Sequence, residues 1–258
     1  TDKNLMPEWN HPGDRRSQIT LDSMLRMSSG LKFDENEGNP LGNLIQMLFG
    51  QSNVAAYAAS QPLEADPGSK WQYASGTSNI LSRIVRRAVG DRDADYLTFP
   101  RRALFNPLGM SSAVIEPDAS GTFIGSAFMY ATARDWARFG LLYLQDGMWE
   151  GQRILPEGWV KYAASPTPHA WVGYGAGFWT NLGDSYGARY RVDHGWPRDA
   201  FLAKGTIGQY VIVVPSQRLV IVRLGRSPNM PLEADGVFDL VRDVVTATSH
   251  QAKLARGN

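Results

Sequence analysis

Pro67-Gly68-Ser69-Lys70-Trp71-Gln72-Tyr73-Ala74-Ser75-Gly76-Thr77-Ser78-Asn79-Ile80-Leu81 is the stretch whose reading decides the rest of the chain. Pro-Gly marks a turn, Tyr73 stands two residues before Ser75, and Gly76 opens a helical pattern. Ile80, Leu81, Ile84, Val85 and Ala88 repeat at helical spacing, while Arg83, Arg86 and Arg87 fall off that stripe and Gly90 supplies the stop. The result is a hydroxyl-rich loop braced against a helix. Loops held by rigid elements are where catalytic and binding groups are presented to a ligand, which makes Tyr73 the first candidate.

Upstream, Leu5 to Asn10 is a short apolar segment broken by Pro7 and reads as an arm. A helix is predicted from Ile19, with Thr20 as N-cap, Asp22 in the first turn and Gly30 as the stop. Asp34 to Pro40 reads as loop, Gly42 to Gly50 as a short helix with Leu44, Ile45, Leu48 and Phe49 on one face, and Val54 to Ala59 as helical. Downstream, residues 96–104 are predicted to be helical up to Phe99 and to resume after Pro100, with a turn at Asn106-Pro107-Leu108-Gly109-Met110. Thr132 with Asp135 has capping-box spacing, and Trp136, Phe139, Leu142 and Tyr143 form the apolar stripe of the helix that follows. Pro156 to Ala163 reads as one more short helix. From about residue 171 the pattern becomes β-like. Tyr174 to Thr180, Phe201 to Lys204, Gln209 to Val214 and Leu219 to Leu224 are predicted strands, and Val237 to Val245 a covering helix. The expected fold is mixed α/β (α+β): one unit over 1–258, mainly helical over 13–165, with an antiparallel sheet and C-terminal helix over 166–258.

Composition narrows the function. With 43% hydrophobic and 20% charged residues the chain has the profile of a folded protein. A formal net charge of +1, from 26 basic and 25 acidic residues, provides no field for nucleic acid or an anionic membrane. No apolar run approaches the roughly 20 residues of a membrane span, and the polar opening Thr1-Asp2-Lys3-Asn4 does not read as a signal peptide. The absence of cysteine excludes a disulfide, a thiolate nucleophile and a cysteine-ligated metal. His11, His169 and His250 are isolated and lack metal-ligand spacing, so no metal or other cofactor is expected.

Further segments fall in a fixed order around the opening stretch. They are Ile19-Thr20-Leu21-Asp22 leading to Met27-Ser28-Ser29-Gly30-Leu31, then Pro67-Gly68 to Tyr73-Ala74-Ser75, and Pro107-Leu108-Gly109-Met110. Tyr130-Ala131-Thr132-Ala133-Arg134-Asp135-Trp136 and Gly205-Thr206-Ile207-Gly208-Gln209-Tyr210 complete the series, which spans about 190 residues. Together they resemble the serine β-lactamase and DD-peptidase superfamily, in particular its class C-like branch of esterases and 6-aminohexanoate-dimer-type amidases. The resemblance implies acyl transfer from a small ester, amide or peptide-like substrate, through an acyl-enzyme and without a cofactor. It makes Tyr73 the tyrosine that shuttles a proton and Ser75 the second polar group of its loop. An ordinary tyrosine titrates near pH 10, so such a shuttle needs a neighbouring cation, which in the family is the lysine of Ser-x-x-Lys. Ala203-Lys204-Gly205 falls where the family's third motif is expected. Gly205 would leave the strand edge open and the Thr206 N–H would be one oxyanion donor. Lys204 alternates to the opposite face and is not read as catalytic. The departure from Lys-Thr-Gly favours esterase or amidase activity over β-lactam hydrolysis. His194-Gly195-Trp196 is read either as a substrate-pocket wall or as a core aromatic beside a satisfied histidine.

The largest departure from the family is the nucleophile. The one literal Ser-x-x-Lys is Ser29-Gly30-Leu31-Lys32, placed at a helix end and not at the helix N-terminus that favours a developing anion. Two explanations are carried forward. Either an upstream or separate N-terminal fragment bears Ser-x-x-Lys, or the chain is an inactive homologue that binds a ligand as a scaffold.

Overall fold

The computed structural model describes residues 5–90, 92–227 and 230–256, with side chains of the last segment described over 236–249. Thr1 to Asn4 and the His250 side chain lie outside the described residues. The chain divides into two compact units: residues 1–107 with 111–131, and 108–110 with 132–258.

In the first unit, α1 (Leu21–Leu25) starts at Thr20, whose side chain accepts the Ser23 N–H while Ser23 caps back on the Thr20 N–H. It ends earlier than the Gly30 stop expected from sequence, because Met27 turns into the left-handed region at φ 56°. Residues 27–33 instead run beside 62–72. Gln72 N–H donates to Met27 O (2.9 Å), Gly68 N–H to Ser28 O (2.8 Å), Lys32 N–H to Pro62 O (2.9 Å), and Leu31 bridges Leu63. Gly30, at φ 78°, lies against the Ala65 carbonyl, where any Cβ would collide. The Met27–Leu31 segment is therefore what holds the loop leading to Tyr73. After α2 (Asn43–Gly50) and α3 (Val54–Ala59), α4 (Ser75–Val89) packs on α3 through small residues. A Cβ on Gly76 would come within 2.6 Å of the Phe33 ring and 3.2 Å of Ala58 Cβ. Leu44 and Met47 are the buried residues of α2, and Phe49 is exposed. The segment read as an arm is anchored: Met6 and Trp9 are fully buried in this unit's core, and the Trp9 indole donates to Ala59 O at 2.8 Å.

Pro100 does not interrupt its helix. α5 (Asp93–Pro100) runs straight into a π-type turn, Arg101–Phe105, and α6 (Asn106–Leu108) follows where a turn was expected. A wider turn lets the backbone pass a ring that lacks an N–H. The stretch 121–129 takes its course from α4. Buried Asn79 donates to Ser126 Oγ (3.0 Å) and Ser75 O (3.1 Å) and accepts the Gly125 N–H (2.9 Å). β1 (Val114–Ile115) and β2 (Met129–Tyr130) then pair antiparallel.

In the second unit, α7 (Ala133–Leu144) is capped by Thr132, which accepts the Asp135 N–H at 3.3 Å. The ladder of β3 (Met148–Trp149) with β4 (Gln152–Arg153) precedes α8 (Trp159–Ala164). Four antiparallel strands follow in spatial order: β5 (Trp179–Thr180), β6 (Phe201–Gly205), β7 (Gln209–Val214) and β8 (Leu219–Arg223). β5 is shorter than the strand predicted from Tyr174, because the chain doubles back and Gly175 N–H donates to Phe178 O at 2.7 Å. α9 (Tyr186–Asp193), capped by Ser185, was not anticipated, and α10 (Met230–Arg256) closes the unit. Phe201 and Val213 face Tyr143, Ala163, Ala164 and Phe178 on one side of the sheet. Leu202, Tyr210, Ile212 and Ile221 face Trp196, Val237 and Val241 on the other. Residues 133–164, assigned from sequence to the helical part, thus belong to the sheet's own unit.

Candidate active site

Tyr73 and Ser75 sit at the entrance to α4. Ala74 occupies the N-cap position and has no side chain able to cap, so the first-turn donors need a partner from elsewhere. Glu35 is that partner: its Oε1 accepts the Ser75 N–H, and its Oε2 accepts the Ser75 Oγ–H at 3.1 Å. One carboxylate thereby fixes both polar groups of Ser75 at the positive end of a helix of 15 residues. Burial pushes the Glu35 carboxyl above the usual range, opposed by its two hydrogen bonds from Ser75, with Glu37 and Asp34 adding to the rise. The Tyr73 hydroxyl is driven up to about 12, first by burial and then by the negative charge of Glu35. At neutral pH Tyr73 therefore keeps its proton. The resemblance calls for a cation beside this tyrosine, the lysine of the Ser-x-x-Lys expected outside this chain; the charge that acts on Tyr73 here is the acid Glu35. Lys70, the nearest lysine in sequence, is engaged with Glu64 at 2.6 Å.

Glu35 was missed from sequence. It lies 40 residues before Ser75, in a stretch read as loop, and no spacing rule connects the two. Ser29 does not carry its literal motif into a site. It is buried, its Oγ lies 3.4 Å from Thr77 Oγ1 and accepts the Leu31 N–H at 3.3 Å, while Lys32 is exposed. It precedes no helix.

The other candidates are in the second unit. Gly205 ends β6 and pairs with Gln209 across the hairpin, where a Cβ would meet that of Gln209 at 3.1 Å. Thr206 is exposed in the connecting turn, followed by Ile207 at φ 53°. A β-branched residue in the left-handed region is a genuine outlier. It is held by Ser227 N–H donating to Ile207 O (2.8 Å) and by Arg223, which donates to Gly208 O and, at 2.7 Å, to Ser227 Oγ. Gln209 exchanges two hydrogen bonds with the Gly225 backbone, 2.7 and 3.0 Å. The Thr206 turn is thus braced by the segment 223–227. Lys204 points with Leu202, away from the face of Ala203, and its Nζ lies 5.6 Å from the centroid of the Tyr210 ring.

His194 and Trp196 separate. His194 is exposed at the end of α9, with Nδ1 2.7 Å from Tyr190 O and its ring centroid 4.1 Å from that of Tyr190, tilted by 35°. Trp196 is buried in the core on the α10 side and lines a cavity there. Asp135 is paired with Arg138 at 2.6 Å, and its N–H donates to the Thr132 side chain that caps α7. Among the described residues no cluster of His, Asp and Glu is arranged to hold a metal, and no helix is long and apolar enough to cross a membrane.

The family model described as Beta-lactamase matches residues 5–246. The chain belongs to the beta-lactamase family. Over 100 residues it is 32% identical to a 6-aminohexanoate-dimer hydrolase of Paenarthrobacter ureafaciens, covering 38% of this chain and 25% of that one. A Bacillus anthracis protein provisionally described as a 6-aminohexanoate-dimer hydrolase superposes with a TM-score of 0.71 at 22% identity, covering 94% of this chain and 64% of that chain. A penicillin-binding protein homologue from Caulobacter crescentus gives 0.59 at 18% identity, covering 84% and 67%. This member of the beta-lactamase family therefore spans a quarter of the curated hydrolase and about two thirds of these solved structures. The antiparallel sheet with flanking helices is the fold of those neighbours.

Proposed function

We propose that this chain is the part of a serine hydrolase that transfers protons and stabilises the oxyanion during acyl transfer from a small ester, amide or peptide-like substrate. The nucleophilic serine and its lysine are supplied from outside these 258 residues. The observation that carries the reading is the Tyr73–Ala74–Ser75 loop, locked onto the start of α4 by Glu35.

In this account a lysine brought to Tyr73 offsets the charge of Glu35 and lowers the phenol's proton affinity. The phenolate accepts the serine proton as serine Oγ bonds to the substrate carbonyl carbon. Tyr73 then returns the proton to the departing alcohol or amine, and a water repeats the sequence on the acyl-enzyme. With its hydroxyl hydrogen committed to Glu35, Ser75 offers lone pairs and accepts a hydrogen bond from the substrate.

In a longer form bearing Ser-x-x-Lys, Tyr73→Phe is expected to lower kcat by about 100-fold or more, as for loss of a general base. A loss below threefold reduces Tyr73 to a packing residue. One observation favours a second reading, a non-catalytic member that binds an acyl or peptide-like ligand: the charge next to Tyr73 opposes phenolate formation. That reading expects no adduct with a serine-directed reagent under any condition.

A further inference from the structure

The face of the sheet that carries Leu202 holds a cavity of about 250 Å³, at the small end of ligand sites. Its wall is aromatic, formed by Trp171, Trp179, Tyr186, Tyr190, Trp196 and Phe238. None of the described lining residues is acidic.

Besides Lys204, whose Nζ lies 5.6 Å from the centroid of the Tyr210 ring, two polar groups on this wall stand out. Trp196 is 3% exposed, and its indole N–H is buried without a hydrogen-bond partner. Buried indole donors ordinarily find an acceptor, and one left without carries the full desolvation penalty. The second is Arg191. Its Nε donates to Asn181 Oδ1 at 2.6 Å and one terminal nitrogen to Val172 O at 3.0 Å. The other terminal nitrogen donates to Thr180 O at 2.7 Å and Gly173 O at 3.4 Å. Every acceptor is a neutral oxygen. Burial pushes this guanidinium down to about 10, which still leaves it charged at neutral pH. Among the described residues this guanidinium has no counter-ion, and a cation so placed projects a positive potential into the space beside it.

We propose that this cavity binds a small aromatic or branched aliphatic carboxylate, whose apolar body fills the aromatic walls while its carboxylate accepts the Trp196 N–H in the field of Arg191. A neutral ligand would satisfy the indole and leave the charge uncompensated. Phosphate or sulfate alone would leave the aromatic surface unfilled. The proposal uses neither Tyr73 nor Thr206 and stands apart from the acyl-transfer reading.

Calorimetric titration of the 258-residue chain with 4-phenylbutyrate, 4-phenylbutyramide and 4-phenylbutylamine tests it. The carboxylate is expected to bind at least about tenfold more tightly than the amide, the ammonium form not measurably, and Trp196→Phe to weaken the carboxylate about tenfold. In the ¹⁵N-labelled wild type the Trp196 indole proton moves downfield on saturation with 4-phenylbutyrate, a readout that does not depend on any variant folding. Equal affinities for the three compounds, no binding of the carboxylate at millimolar concentration, or an unmoved Trp196 resonance would each overturn the site. So would an unchanged affinity in a Trp196→Phe protein that melts like the wild type.

Discussion

A carboxylate that caps a helix and faces a tyrosine has two consequences that titration can read. Wild type minus Tyr73→Phe difference absorbance is expected to show no phenolate step up to about pH 10, the ordinary tyrosine value, because burial and Glu35 hold this hydroxyl near 12. In a Glu35→Gln background the step begins at lower pH, since one of the two causes is gone. A step at the ordinary value in wild type would contradict the burial of Tyr73. Glu35 itself has a raised folded-state pKa. Its contribution to stability is fully present below the unfolded value and is lost as pH rises through the folded one. From about pH 4.3 upward, wild type should therefore lose stability relative to Glu35→Gln, read as the difference between their urea midpoints. A difference that stays constant or reverses sign would contradict this assignment. At this scale the position of Tyr73 just ahead of α4 was legible, because a Pro-Gly-led loop before a helix is a local pattern. Glu35 was not, since its partnership exists only once residues 27–33 lie beside 62–72.

At the scale of elements, legibility followed periodicity and caps. α4 and α7 carry long apolar stripes with a stop or a cap, and both appear where they were read. α9 has Gly187 in its first turn and little apolar contrast, and its burial is decided by packing of Gly187 against Val172, which no local pattern encodes. The predicted strand from Tyr174 became a tight hairpin for a similar reason: alternating Gly and aromatic residues fit either outcome. α7 supplies a packing test. Gly140 faces the sheet, and a Cβ there would lie 2.5 Å from Val220 Cγ1 and 3.0 Å from Val211 Cγ1, both stiff strand side chains. Gly140→Ala should destabilise by about 1 to 2 kcal/mol, overpacking outweighing the roughly 1 kcal/mol gain in helix propensity. Denaturant unfolding measures it, and a stabilised variant would show that α7 can lift without cost.

For the whole molecule, the fold class and the family were readable because motifs recurred in a fixed order, whereas the division into units was not. The pattern turns β-like near residue 171, but compactness is set by which helices cover the sheet, and α7 and α8 do so from earlier in the chain. Among the described residues β8 is an outer strand of the sheet, its free edge a template for a further strand. On the proposed function, the chain carries the proton shuttle and oxyanion donor of a serine hydrolase whose nucleophile lies elsewhere. The most direct test of that function is intact-mass analysis after exposure to a serine-directed fluorophosphonate, comparing the 258-residue chain with a longer form that carries Ser-x-x-Lys ahead of Thr1. The account predicts no adduct on the 258-residue chain and a single adduct on the longer form, formed about 100-fold more slowly in Tyr73→Phe. Stoichiometric labelling of the 258-residue chain, with Ser29 the first serine to examine, would contradict it.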